Sequence, residues 1–113
     1  MINKGPVQRI VEPLGNNYDS MEFTFATGLS DYDVKANVTG AFENLGSYTT
    51  VNIRSDQEIT AKINLSTNRA VTIQKNKPME FDNLMQIKNI FLSNSSGSTA
   101  NVKIIGVRKT YKE

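Results

Sequence analysis

The chain has 113 residues, with 13 Lys and Arg against 11 Asp and Glu, a formal charge of +2, and no histidine, cysteine or tryptophan. That length suits one domain with one core. The missing side chains exclude imidazole bases, thiolate nucleophiles, disulfides and the usual zinc ligand sets, and the scattered charges read as an ordinary solvated surface.

Residues 1–20 differ from the rest. They hold Pro6, Pro13 and the Asn16-Asn17 pair, with an apolar set at Val7, Ile10, Val11 and Leu14 that fits no period. Each proline removes a donor and pushes the preceding residue toward extended backbone. The stretch reads as an extended arm, with room for one short strand at residues 7–12, attached to a domain of residues 21–113. Full burial of each apolar side chain would contribute roughly 1.5–3 kcal/mol, while ordering the backbone costs about 1–2 kcal/mol per residue. The arm is therefore expected to need a partner surface. Its start lacks the apolar core of a secretory signal, and no apolar run in the chain approaches the ~18–20 residues that span a bilayer.

From Met21 to Val107 apolar and polar residues alternate, cut at intervals by Gly, Asn, Asp or Ser, which is the pattern of half-buried antiparallel strands. Met21, Phe23 and Phe25 open the series. Tyr32, Val34, Ala36 and Val38 form the next inward set, opposed by Asp33, Lys35 and Asn37. A strand at residues 48–54 turns inward Val51 and Ile53, residues 55–58 make a turn, and Ile59, Ala61, Ile63 and Leu65 follow with Thr60, Lys62 and Asn64 outside. Val71 and Ile73 come after a Ser-Thr-Asn-Arg turn, and Pro78 starts an edge-like segment with Met79 and Phe81. The last two strands are read at residues 87–93 and 100–111. One helical turn near residues 41–45 is the sole exception to strand periodicity. The sum is an all-β fold, a single antiparallel β-sandwich or jelly-roll-like barrel of about eight strands. Phe23, Phe25, Val34, Val51, Ile53, Ile59, Ile63, Val71, Ile73, Phe81 and Val102 are its expected core, with Lys35, Arg54, Lys62 and Lys103 outside.

Two stretches break the alternation. Ile90, Phe91 and Leu92 are consecutive apolar residues, and so are Ile104 and Ile105 ahead of Gly106 and Val107. A β-bulge in each strand would explain this, and Gly106 suits one. The other reading is a second face covered by the arm or by a neighbouring subunit. On that reading Ile90, Leu92, Ile105 and Val107 join Val7, Ile10, Val11 and Leu14 as interface residues.

Candidate chemistry is thin. Asp31 with Asp33, and Glu80 with Asp82, stand two residues apart on strands, near enough for calcium or acid–base work. Solvent-side charges have the same spacing, and that is the weightier reading. A Ser–Lys pair has no support, because Lys62, Lys88 and Lys103 fall on outward positions. Sequons at Asn37, Asn64 and Asn94 are about what 13 asparagines among many Ser and Thr produce by chance. Arg108, Lys109 and Lys112 read as a solubilising tail, since nucleic-acid binding would call for clustered Arg with stacking aromatics. The expectation is a protein that is not an enzyme, with no cofactor and no metal.

The residues from Ile59 to Val107, with Pro78-Met79-Glu80-Phe81, Ile87-Lys88-Asn89-Ile90-Phe91-Leu92-Ser93-Asn94 and Ala100-Asn101-Val102-Lys103-Ile104, resemble small accessory virion proteins of tailed bacteriophages. The resemblance covers under half of the chain and brings no functional residue with it. It implies a compact β-sandwich or jelly roll located in the virion, a homo-oligomer that decorates a capsid or builds tail and neck parts. Its partners would be other virion proteins, with no membrane and no specific nucleic acid. The alternative is a carbohydrate- or ligand-binding β-sandwich module on a tail, for which a concave sheet with clustered tyrosines would speak.

Overall fold

The computed structural model describes residues 18–108, and of residues 83–85 the backbone alone. Its elements are β1 (Tyr18–Phe25), β2 (Tyr32–Asp33), a one-turn helix α1 (Val34–Asn37), β3 (Tyr48–Ser55), β4 (Ile59–Ile63), β5 (Val71–Ile73), β6 (Met79–Ile87), β7 (Ile90–Ser93) and β8 (Ala100–Val107). They form two antiparallel sheets, β1-β8-β3-β6 and β2-β7-β4-β5. β1 pairs with β8, β2 with β7, β3 with β6 and β4 with β5. The chain is thus one long antiparallel ribbon rolled on itself into two sheets. Residues 1–17, where an arm is expected, and residues 109–111 of the expected last strand lie outside the described residues, and the strand ends at Val107. Tyr18, Asp19 and Ser20 belong to β1 rather than to an arm.

Alternation places the core between the sheets. Met21 and Phe25 enter it from β1, Ala100, Val102 and Ile104 from β8, Val51 and Ile53 from β3, and Ile59, Ala61 and Ile73 from β4 and β5. Phe23, Ile63 and Phe81 are only partly buried against this core, and Val71 is half-buried. Phe23, Val71 and Phe81 sit on strands at sheet edges and Ile63 at the end of its strand, where one flank lacks a neighbour. Leu65 falls past that end and is 58% exposed. Lys62, expected outside, is half-buried. Its ammonium group lies 3.0 Å from Asp31 and donates to the Ser66 carbonyl.

The expected strand from Tyr32 to Val38 stops after two residues. The Asp33 carboxylate accepts from the Ala36 amide at 3.0 Å, a helix cap that turns the backbone into α1. Val34 stays buried, but Ala36 is exposed. The expected strand at residues 87–93 is also two elements. The chain leaves one sheet at Ile87 and enters the other at Ile90. Both isoleucines are fully buried, on opposite sheets.

Neither apolar run marks a bulge. β8 keeps unbroken register with both neighbours, Ile104 and Gly106 facing in, Ile105 and Val107 facing out. The irregularity lies between β3 and β6, where Tyr48 faces Ile87 but Thr50 faces Asp82.

Gly106 has another reason to be glycine. The fully buried Tyr48 ring lies over it, and any Cβ there would fall inside that ring's van der Waals envelope. The Tyr48 hydroxyl donates to Asp19 Oδ2 at 2.7 Å and accepts from the Phe42 amide at 2.7 Å. Asp19 also accepts from the Asn44 and Leu45 amides. The Phe42 ring stacks on Tyr48 with centroids 4.3 Å apart, and this contact holds Phe42 at a φ of 60°, where side chains other than glycine are strained.

Gly106→Ala should cost about 1–3 kcal/mol by overpacking; an unchanged urea midpoint would show that the ring is not seated there. Tyr48→Phe leaves Asp19 and the Phe42 amide short of a partner and should cost about 1–3 kcal/mol. Burial, and then the bond to Asp19, push the Tyr48 phenol above its ordinary range. Its contribution is complete below about pH 10 and is lost as pH rises toward the folded-state value. Alkaline titration of stability should therefore show a loss in the parent protein that Tyr48→Phe lacks.

Candidate functional site

The two ends of the paired sheets are built differently. At one end, loops 26–31, 56–58, 74–78 and 94–99 are laced together. Asn94, 1% exposed, donates through Nδ2 to the Phe25 and Ser98 carbonyls and accepts from the Ser96 amide and hydroxyl. Its backbone exchanges hydrogen bonds with Gly28 and Leu29. At the other end lie loops 38–47 and 64–70, the Lys88–Asn89 crossing, and the paired residues Tyr18 and Val107. Asn64 bridges to the crossing, accepting from the Lys88 amide at 2.6 Å.

The outer face of the sheet β1-β8-β3-β6 joins the two ends. Register sets out its rows. Tyr18, Val107, Thr50 and Asp82 form the first, and Ser20, Ile105, Asn52 and Glu80 the second. Glu22, Lys103 and Arg54 form the third, and Thr24 with Asn101 the fourth. The face is therefore apolar where the termini of the described chain meet and charged toward the laced end. A cleft of about 480 Å³ lies over the charged rows, lined by Glu22, Thr24, Arg54, Asp56, Asn76, Asn101 and Lys103 among others.

The expected interface residues separate on this map. Ile90 and Leu92 are fully buried in the core and give a neighbour no surface, so that expectation is corrected for both. Ile105 and Val107 do face outward, half-buried, beside the 37% exposed Tyr18. Val7, Ile10, Val11 and Leu14 lie outside the described residues. The carboxylate pairs are divided. Asp31 pairs with Lys62 while Asp33 caps α1 and accepts from Asn89. Asp82 accepts from the Thr50 hydroxyl at 3.4 Å. Among the described residues no three His, Cys, Asp or Glu gather as a metal site, and no helix is long and apolar enough to cross a membrane.

Sheet edges bear on how an arm could bind. The second sheet's edge strands, β2 and β5, have two and three residues. β6 starts after Pro78, carries Glu80 and Asp82, and loses register with β3 beyond Asp82. On β1, the carbonyls of Tyr18 and Phe25 already accept from Asn44 and Asn94. Short edges, proline, charge and irregular pairing all disfavour an added strand.

Asp56, at the laced end of the cleft, was missed in the sequence because a turn aspartate looks ordinary. Its carboxylate accepts the Asn101 amide and the Asn101 side-chain N–H, each at 2.7 Å. The Asn101 donors, with help from Lys75, hold the carboxyl below the ordinary aspartate range. This stabilisation is present above the unfolded-state value, near pH 4, and disappears as pH falls through the folded one. Asp56→Asn should therefore lower the urea midpoint at pH 7, with the gap to the parent protein narrowing at pH 3. A gap independent of pH would contradict the assignment.

No family model matches the chain, and no curated protein matches it in sequence. Among solved structures it is similar to the solution NMR structure of a de novo designed double-stranded β-helix, with a TM-score of 0.52 and 17% identity, covering 75% of this chain and 94% of that one. At that identity the likeness is one of fold alone, and it agrees with the rolled-ribbon pairing of the sheets.

Proposed function

We propose that the protein is a structural component of a tailed-phage particle, a capsid decoration or cement protein that acts by assembly. The observation that carries this reading is the strip formed by Tyr18, Val107 and Ile105. It is an outward, partly exposed apolar run at the point where residues 1–17 join β1. Isolated surface apolar residues are ordinary, but three in contiguous register positions make a patch suited to an interface.

The mechanism is burial of this strip beneath the arm of a neighbouring copy, with Val7, Ile10, Val11 and Leu14 as anchors. Contact is through side chains on the sheet face, because the edges of both sheets are short, charged, irregular or already engaged. Assembly is homo-oligomeric, and its further partners are other proteins of the virion.

Removing residues 1–17 should leave the far-UV circular dichroism spectrum and urea midpoint close to those of the parent protein. The same truncation should reduce oligomer mass in light scattering and weaken association with purified particles. Ile105→Asn combined with Val107→Thr should reproduce the defect in the full chain. Assembly of both variants at the parent level would refute the reading.

A further inference from the structure

The charged rows follow the apolar strip on the same face, Lys103 standing two residues, about 7 Å, from Ile105 along β8. Arg54 and Lys103 are direct cross-strand partners there. Like charges directly opposite on neighbouring strands are destabilising, and a local conflict of this kind is expected where a site is kept for binding. The compensation inside the chain is partial. Lys103 reaches Glu22 at 3.6 Å, with both side chains half or more exposed. The Arg54 guanidinium has no hydrogen bond or ion pair within the described residues. The nearby Asp56 cannot serve it well, since both of its oxygens accept from Asn101.

We propose that the cleft over Arg54 and Lys103 binds an acidic sugar, a ligand with one carboxylate among several hydroxyls. This goes beyond the assembly reading and involves none of its residues. The guanidinium of Arg54 offers the planar fork that takes a carboxylate on two parallel hydrogen bonds, and Lys103 adds a second positive charge. The remaining lining suits hydroxyl groups. The side chains of Thr24 and Asn76 have no partner within the described residues, Asn101 Oδ1 receives no donor there, and Glu22 is an acceptor while Asp56 stays engaged with Asn101. Those two carboxylates also determine which anion is admitted. With Glu22 and Asp56 flanking the cations, the lining has no net charge, so a polyphosphate or strongly acidic peptide meets repulsion that a single carboxylate avoids. The volume of about 480 Å³ lies in the range of small-ligand clefts.

The test is a titration of the full-length, isotopically labelled protein with D-glucuronate, followed by amide chemical shifts. D-glucose, acetate and an acidic tripeptide serve as comparison probes. Saturable shifts are expected at Thr24, Arg54, Asn76, Asn101 and Lys103, with glucuronate binding about tenfold or more tightly than glucose or acetate. Arg54→Gln, an exposed position whose urea midpoint should hold, is expected to weaken glucuronate binding about tenfold. Glu80→Gln, outside the cleft, should leave it unchanged. Glucose or acetate binding as tightly as glucuronate would overturn the proposal, and so would tighter binding of the tripeptide. Absence of saturable shifts, or a response unaffected by Arg54→Gln, would do the same. Oligomer mass, followed in the same samples, reports separately on the assembly reading.

Discussion

The fold turns on one buried aromatic ring. Tyr48 begins β3, yet its ring occupies the space left by Gly106 on β8 and its hydroxyl reaches Asp19 on β1. Three strands of one sheet are therefore locked at the same level. The loop between α1 and β3 is secured by the same group, because Phe42, Asn44 and Leu45 all direct backbone amides at Tyr48 or Asp19. A buried carboxylate is costly unless it is hydrogen-bonded. Asp19 meets that condition with donors drawn from a distant loop, so closing the loop and forming the sheet are parts of one event.

Much of the architecture was legible because side-chain direction in a strand has period two. Phe25, Val51, Ile53, Ile59, Ile73 and Val102 were all expected inside and are buried. The failures share a cause. Where the chain changes sheets, the period of two continues in the text while the geometry restarts. Ile87 and Ile90 are therefore both core residues with a corner between them. The one-turn helix had a visible signal in Asp33, a good N-cap, but the alternation of Val34, Ala36 and Val38 outweighed it. Gly106 was read as a bulge glycine because a strand glycine commonly is one. Its partner ring comes from 58 positions earlier, and no local pattern carries that information.

The candidate site was less legible for a related reason. Arg54 and Lys103 each look like routine outward charges. Only register shows that they face one another, and only the hydrogen bonds from Asn101 show that Asp56 is already engaged. A binding surface on a sheet face is a property of rows across strands, and rows run perpendicular to the sequence.

The pairing of Tyr18 with Val107 has a topological consequence. Opposed residues on antiparallel strands lie about 5 Å apart at Cα, so the described fold begins and ends at nearly one point. It behaves as a closed bead that a polypeptide enters and leaves through the same gate. Such a unit can be grafted into a surface loop of an unrelated protein without prising the loop's stems apart, or its ends can be fused and the chain reopened at the exposed turn around Leu65. Its two faces would then be displayed wherever the host scaffold carries them.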